Sequence, residues 1–441
     1  MTFLDYLPEV YRYARTELRK TRLLVGFLTV TAICLTIVLS VSRMEHVSSS
    51  GDVIVKILFG LQAVVWLVYG MRCVSVSVVQ ERVNRTWDFQ RLTPLSSFRI
   101  ATGKLLGAPL FPFFLGACVF PWILGFAILD PAVGKGWLAS WYLRTVTGLF
   151  FFLSLCLLGS AYVETRDEKS SNSVAQGAVL IFVVFVLPQL IVGMIKVDAF
   201  ASGGVRYFHT RWSVDAFWTL TAVFFGLWLF LGAKWKIGED LLERDRVWRL
   251  PLFLGCLAVY LHGLSPDTLA PQVLVPAGMA YVSVLVHTPG LDHWRSWWTR
   301  WKGRDRIHRT PTGITAFSSL LLIFLFFAAF APFAPFISAP CILAFALRDF
   351  AFIQWCRFTR SRHPEVVAFV YLFLAYLIPW ILLAAFQKPE WIFLIAPYVP
   401  SGVKTPVLDC LPGLLQAAVM IALVARKLRR GVVGSQESTV A

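Results

Sequence analysis

The sequence predicts an all-α polytopic membrane protein with about 12 transmembrane helices, and three observations support this fold class. Of its 441 residues, 57% are hydrophobic and 15% are charged, whereas about a quarter of the residues in a soluble domain are charged. Several apolar runs reach the roughly 20 residues that a helix needs to cross a bilayer. These runs are continuous and rich in Leu and Phe, without the alternation typical of a membrane β-barrel.

Twelve apolar runs are assigned as spans. They lie near residues 23–42, 53–71, 105–129, 140–163, 175–195, 213–233, 250–263, 270–287, 313–332, 335–347, 365–386 and 405–425. Dense mixed charge in residues 234–249 follows the sixth run and predicts a cytoplasmic linker. The linker divides the chain into a six-span unit, residues 23–233, and a second membrane half of about six spans, residues 250–425.

The distribution of charge predicts the orientation. The chain has a net charge of +16, and most of its 41 lysines and arginines fall in segments that are cytoplasmic if the N-terminus is inside. Cytoplasmic loops of membrane proteins carry this excess, so both termini, including the basic tail 426–441, are predicted to be cytoplasmic. Membrane lipids with anionic head groups explain the positive charge, and nucleic acid is not a predicted partner.

Residues 1–22 predict an amphipathic helix on the inner surface of the membrane. Acidic Asp5 and Glu9 come early and basic residues come late, which suits the helix dipole. Tyr6, Val10 and Tyr13 are placed to enter the interface. A charged leader that only fixes the topology explains the same residues equally well.

Few polar residues lie in the middles of the spans. Ion-coupled transporters keep ionisable residues near the bilayer midplane, so their scarcity argues against such coupling but not against a facilitator. Candidates for a substrate path are the most polar central residue and the residues near span breaks: Gln62, Pro112, Pro121, Pro188 and Gln189.

The motifs of enzymes and of metal sites are missing. No metalloprotease, serine-hydrolase or nucleotide-binding P-loop motif occurs, so the chain is predicted not to be an enzyme. The eight cysteines form no C-x-x-C pair and the histidines do not cluster, so no metal site is predicted. If the protein moves a substrate uphill, the energy has to come from a partner.

Residues 72–104 form a polar segment between the second and third spans. Its first part predicts a helix with Val79, Val83, Trp87 and Gln90 on one face, and with its charged residues on the others. Thr93-Pro94 predicts a break, because proline disfavours helix in the residue before it. Ser96 then predicts the cap of a following helix.

The order of residues in this segment resembles the ABC-2 type transporter permeases, the transmembrane subunits of ATP-binding cassette (ABC) exporters. The matching residues are Glu81, Arg82, Thr86, Asp88, Thr93, Pro94, Leu95, Ser96, Arg99, Gly103 and Lys104. Asn84 or Arg85 stands where the family has a glycine. The resemblance covers roughly residues 1–233, a six-span ABC-2-like permease unit preceded by the interfacial helix.

The resemblance implies that residues 72–104 form a coupling helix that docks into a separate ATPase subunit. The implied coupling residues are Glu81, Arg82, Arg85, Thr86, Asp88, Arg91, Thr93, Pro94, Leu95, Ser96, Arg99 and Lys104. The partner would bind ATP and Mg²⁺, and this chain would hold no cofactor. The expected location is the plasma membrane, as a multi-pass protein of the bacterial inner membrane.

Several alternatives stay open. An ATP-independent carrier or channel, and a membrane scaffold subunit, fit the same composition. One chain could supply both six-helix bundles, or it could form a homodimer or a hetero-oligomer with other membrane subunits. The substrate, the direction of transport and the register of any internal repeat are not determined by the sequence.

Overall fold

A computed structural model gives the structure of most of the chain. It describes residues 8–43, 50–92, 95–130, 135–162, 204–243, 248–264, 270–286, 310–330, 338–359, 364–385 and 406–437, together with five residues between 290 and 297. The described chain is almost entirely helical. It divides into two compact units, one formed by Met1–Val205 and Arg211–Arg244, the other by Arg206–Thr210 and Asp245–Ala441.

The first unit contains the segment predicted to be interfacial and five of the candidate spans. Its helices are α1 (Pro8–Glu17), α2 (Lys20–Ser42), α3 (Ser50–Val64), α4 (Gly70–Val83), α5 (Thr86–Leu92), α6 (Ser97–Gly107), α7 (Leu110–Leu129), α8 (Lys135–Tyr162) and α9 (Val214–Asp240). Two apolar clusters hold them together. One centres on Val78, Ile100 and Ile237, and the other on Leu58 and Ile123.

The second span is the longest helix of the first unit. A π-helical turn, Val65–Tyr69, joins α3 to α4, so the helix runs without a break from Ser50 to Val83. The 33 residues from Gly51 to Val83 extend about 50 Å at 1.5 Å per residue, and the hydrocarbon core is only about 30 Å thick. The helix is therefore longer than the hydrocarbon core, so part of it would lie outside a bilayer that it crosses.

The second unit is a bundle of six helices in the described residues. They are α10 (Arg249–Leu264), α11 (Ala270–Val286), α12 (Thr312–Phe330), α13 (Ser338–Arg357), α14 (Pro364–Ala385) and α15 (Pro406–Glu437). Their core contains small and branched side chains, including Leu254, Ala280, Leu320, Ala346 and Ile353. Small residues let membrane helices approach closely.

Six helices of the described chain are long and apolar enough to cross a membrane. They are Lys20–Ser42, Gly51–Val83, Leu110–Leu129, Gly136–Tyr162, Val214–Asp240 and Leu411–Arg429. Shorter apolar helices occupy Arg249–Leu264, Val275–Val284, Thr312–Phe326 and Val366–Pro379. A helix lies at each predicted span except 175–195, which is outside the described residues. The helical fold class is confirmed, while the number of twelve spans and the orientation stay predictions.

Three boundaries differ from those predicted. The third span begins at Leu110 and not near residue 105, because Pro109 separates it from α6. The polar helix predicted from Val79 to Gln90 breaks at Asn84 and Arg85 into α4 and α5. A two-stranded hairpin, β1 (Val205–Tyr207) and β2 (Thr210–Trp212), precedes α9, where the sequence analysis assigned no element.

Candidate functional site

A cluster of charged side chains surrounds Glu81 in the last turn of α4. The Glu81 carboxylate accepts hydrogen bonds from Arg12 of α1 and Lys104 of α6. It also accepts one from Gln90 of α5, whose Nε2 lies 3.0 Å from Glu81 Oε2. One carboxylate therefore connects α1, α4, α5 and α6. We use the name Glu81 cluster for the side chains of Glu81, Arg12, Gln90, Lys104 and Glu9.

Lys104 is the cation of this cluster that water cannot reach. Its exposed fraction is 0%, and that of Glu81 is 8%. Burial lowers the pKa of Lys104, and the charge of Glu81 opposes that change. The Lys104 ammonium also lies 5.5 Å from the centroid of the Trp87 ring, whose π face attracts a cation. A buried charge of this kind is tolerated only while its partner is present.

Glu9 brings a second carboxylate into the cluster. Its Oε2 lies 2.8 Å from Arg12 NH2, and Gln90 Nε2 lies 3.5 Å from its Oε1. The contact with Arg12 lacks hydrogen-bond geometry, so Glu9 Oε2 has no hydrogen-bond donor among the described residues. Burial is the largest cause of a raised pKa at Glu9, and the neighbouring Arg12 and Lys104 partly offset it.

Two glycines allow α1 to lie directly on α6. A Cβ atom at Gly103 would lie 2.2 Å from the Cβ of Glu9, and one at Gly107 would lie 2.7 Å from Cδ2 of Tyr13. The spacing G-x-x-x-G is typical of helices whose backbones pack closely in membranes. Gly103 therefore has a steric role that its place in the sequence motif did not reveal.

A second set of contacts joins the same segment to the C-terminal end of α9. Arg82 NH2 lies 2.5 Å from Asp240 Oδ2 and donates to the Ala161 carbonyl at 2.9 Å. The backbone N–H of Ser97, at the start of α6, donates to Glu243 at 2.9 Å, and its hydroxyl donates to the same carboxylate at 2.7 Å. A carboxylate is favoured at the start of a helix, where backbone N–H groups lack partners.

Sequence reasoning placed Asp240 and Glu243 in a charged linker and missed this role. Their partners lie 158 and 146 residues away in the chain, so no local pattern reveals the contacts. The only available signal was the concentration of acidic residues at the end of an apolar run.

The turn between α4 and α5 is an exposed part of the predicted coupling segment. Asn84, Arg85, Thr86 and Asp88 are exposed, while Trp87 is buried against the cluster. Arg85 has a φ of 57°, in the left-handed region that glycine adopts without steric cost.

The other predicted coupling residues are divided between several environments. Ser96 caps α6 by accepting a hydrogen bond from the Arg99 N–H at 3.4 Å, and Leu95 packs at the edge of the apolar cluster. Thr93, Pro94 and the side chain of Arg91 lie outside the described residues. The structure therefore brings Glu81, Arg82, Thr86, Trp87, Gln90 and Lys104 together, with Arg85 and Asp88 on the surface.

Of the predicted substrate-path residues, Gln62 makes the most specific contacts. Its Nε2 donates to the Gly116 carbonyl at 2.9 Å, and its Oε1 accepts from the Tyr142 hydroxyl at 2.7 Å. It therefore links the second, third and fourth spans. Pro112 is buried and Pro121 is exposed within α7, whereas Pro188 and Gln189 lie outside the described residues.

The second unit contains a buried cluster of ionisable and polar side chains that the sequence analysis did not predict. Asp349 is fully buried in α13, where Arg348 Nε donates to it at 2.7 Å. Tyr281 and Tyr376 donate to its other oxygen at 2.7 and 2.5 Å. The helix α13 extends beyond the predicted span 335–347 to Arg357, and it holds both residues against the neighbouring helices. Each oxygen of the Asp349 carboxylate accepts a hydrogen bond, so the cluster connects α11, α13 and α14.

Comparisons with known proteins identify no relative. The chain matches no protein-family model, no curated protein and no solved structure. Within the described residues, no group of three or more His, Cys, Asp or Glu side chains is arranged to hold a metal ion.

The raised pKa of Glu9 predicts a pH dependence of stability. A carboxyl whose pKa is higher in the folded than in the unfolded protein stabilises the fold below its ordinary value of 4.5, and that contribution disappears as the pH rises through the folded value. We expect Glu9→Gln, which stays neutral, to raise the unfolding temperature of the purified protein at pH 8 and to leave it nearly unchanged near pH 4.5.

Glu17→Gln is the matched control, because Glu17 is only half-buried in the next turns of the same helix. Thermal unfolding of both variants and the wild type across this pH range measures the effect. A wild-type protein that gains stability over Glu9→Gln as the pH rises would contradict the prediction.

Proposed function

We propose that this chain is the transmembrane permease subunit of an ATP-binding cassette transporter, with export as the favoured direction. A separate ATPase subunit would bind ATP and Mg²⁺ and supply the energy. The proposal is supported mainly by the Glu81 cluster, which fixes the exposed turn between α4 and α5 to the ends of two candidate spans. The chain would then act in the plasma membrane, which is the inner membrane in a bacterium that has two.

The arrangement of side chains suits the transmission of force. A partner that pushed on Arg85 or Asp88 would press on a turn that continues directly into the second span through α4. The buried pair of Glu81 and Lys104 would carry the same displacement into α6 and the third span. The Arg82–Asp240 pair would pass it to α9, so one docking surface would move several helices together.

The implied coupling residues fall into two groups by burial, and we propose a different role for each. Glu81 and Lys104 are buried, so their side chains would act inside this chain by keeping the turn in place. Arg85 and Asp88 are exposed and are the candidates for direct contact with the ATPase. Charged residues at such a surface set orientation and register more than affinity.

The test is the capture of an ATPase with the affinity-tagged chain from its source membrane. The captured subunit is identified by mass spectrometry and assayed for ATP hydrolysis. We expect the charge exchange Arg85→Glu/Asp88→Arg to reduce the captured ATPase by roughly tenfold or more, because like charges would then face each other across the interface. A wild-type chain that captures no ATPase would contradict the proposal.

The matched control exchanges an ion pair at the far end of the long helix that leads into this turn. Asp52→Lys/Lys56→Asp reverses an ion pair of 2.6 Å near the other end of the second span. ATPase capture should stay at the wild-type level in this variant. Equal losses in both exchanged variants would indicate a general effect of charge and would count against docking at Arg85 and Asp88.

A further inference from the structure

A cleft in the first unit lies between α2, α7 and the second span. Its volume is about 530 Å³. We propose that this cleft binds an acyl chain of an anionic phospholipid of the bilayer, with the lipid phosphate beside Arg22. The inference rests on the cleft and on the membrane-spanning character of its helices, and it does not depend on an ATPase partner.

The walls of the cleft are apolar along most of its length. Val25, Val30 and Ile33 of α2 face Leu115 of α7 and Val65 of the second span. Both α2 and α7 are candidate membrane spans, so the cleft opens toward hydrocarbon. An acyl chain in the bilayer consists of methylene groups that carry no hydration water. It can therefore enter such a site without a cost of dehydration.

A glycine sets the depth of the cleft. A Cβ atom at Gly26 would lie 2.9 Å from Cδ2 of Leu115 and 3.2 Å from the Phe111 ring, so α2 and α7 touch at this point. Cleft residues on both sides of this contact stay accessible, because Val25 is 63% and Ile33 is 41% exposed. The result is a narrow groove closed at its floor and open along its side.

One end of the cleft is cationic. The Arg22 guanidinium lies 4.3 Å from the centroid of the Phe111 ring, and its NH2 donates to the Tyr69 hydroxyl at 3.4 Å. These contacts hold it at the rim, where lipid head groups lie at the end of a span. Arginine presents several N–H donors that match the oxygens of a phosphate.

The charge around this rim favours an anionic head group. Arg22 pairs with Glu17, but Arg15, Arg19 and Lys20 add three further cations within the same eight residues. Basic side chains beside the membrane surface attract anionic lipids, and a zwitterionic lipid gains less from them. Charge and shape therefore point to the same class of ligand.

Exposed residues beside the cleft allow a lipid occupant to be distinguished from a protein occupant. Leu24 and Leu28 lie on α2 but do not line the cleft, and they are 60% and 57% exposed. A second copy of the chain seated on α2 would cover them together with the cleft. An acyl chain inserted in the cleft would cover only the residues that line the cleft, including Val25 and Thr29.

The experiment measures lipids that remain bound to the full chain, by native mass spectrometry after reconstitution with dioleoyl phosphatidylglycerol and dioleoyl phosphatidylcholine in equal amounts. We expect the wild type to retain phosphatidylglycerol in preference. Val25→Trp/Thr29→Trp should fill the cleft and abolish retention, while the matched control Leu24→Trp/Leu28→Trp should keep it. Lys20→Gln/Arg22→Gln should reduce the preference by roughly tenfold or more, since each basic residue near the surface attracts the anionic lipid.

The outcomes that overturn the proposal are distinct. A wild-type chain without retained lipid, or without preference for phosphatidylglycerol, contradicts it directly. Equal loss in both tryptophan pairs, or dissociation of a wild-type dimer by the Leu24→Trp/Leu28→Trp control, shows that a second copy covers this face. Gel filtration of every variant confirms that the loss of lipid does not come from unfolding.

Discussion

Replacing Glu81 with leucine is expected to lower the stability of the protein by about 3–5 kcal/mol. The substitution removes the carboxylate that accepts a hydrogen bond from the buried Lys104 ammonium, and the cost of leaving that charge without its direct partner dominates the effect. For a domain of this size the unfolding temperature should fall by roughly 6–20 °C. Thermal unfolding in a mild detergent, followed by intrinsic fluorescence, measures the change.

Two further variants decide whether the buried charge is responsible. Glu81→Leu/Lys104→Met replaces both charges with apolar groups and should recover much of the loss, because an apolar pair can substitute for a buried ion pair. Glu17→Leu removes the acid of the more exposed Glu17–Arg22 pair and should cost no more than about 1 kcal/mol. Equal destabilisation by Glu81→Leu and Glu17→Leu would contradict the assignment.

Gly103→Ala is expected to separate α1 from α6. The new methyl group would lie 2.2 Å from the Cβ of Glu9, and neither atom is at the end of a flexible side chain. Overpacking of this kind costs about 1–3 kcal/mol, although alanine is otherwise favoured over glycine in a helix by about 1 kcal/mol. We therefore expect a lower unfolding temperature and faster cleavage of α1 by trypsin at Arg15 and Arg19.

Gly125→Ala is the matched control for this steric argument. Among the residues that the structure describes, no other side chain or distant backbone atom lies within 4 Å of a Cβ at Gly125, so the same substitution should be neutral or stabilising there. Opposite signs of the two effects identify the packing of α1 as the cause. If Gly103→Ala were as stable and as resistant to trypsin as the wild type, the close contact with Glu9 would be refuted.

The fold was largely predictable because hydrophobicity alone determines where membrane helices form. The apolar runs led to helices at every predicted span within the described residues, and the periodic pattern correctly put Val79, Trp87 and Gln90 on a buried face. The breaks were harder to place. Local steric details decide them, such as the left-handed conformation of Arg85 and the position of Pro109 before α7.

The candidate site was predicted only as a segment, without its internal arrangement. Glu81 was placed on a polar face because it is charged, yet its partners Arg12 and Lys104 lie 69 and 23 residues away. Pairings over such separations leave no local pattern in a single sequence. The same reason explains why the contacts of Asp349 with Tyr281 and Tyr376 could not be foreseen.

The π-helical turn Val65–Tyr69 has a consequence for the direction in which Glu81 faces. Leu58 and Gln62 lie on the buried face before the turn, and a regular helix would return to that face near residues 69, 73, 76 and 80. The residues buried after it are Met71, Val74, Val78 and Glu81 together with Gly70, Ser75, Ser77 and Val79, and the centre of this face lies about one residue later. A π turn accommodates one extra residue, which would otherwise rotate everything beyond it by roughly 100°. The π turn therefore rotates the buried face of the helix beyond it, and as a result Glu81 faces Lys104 and not the solvent.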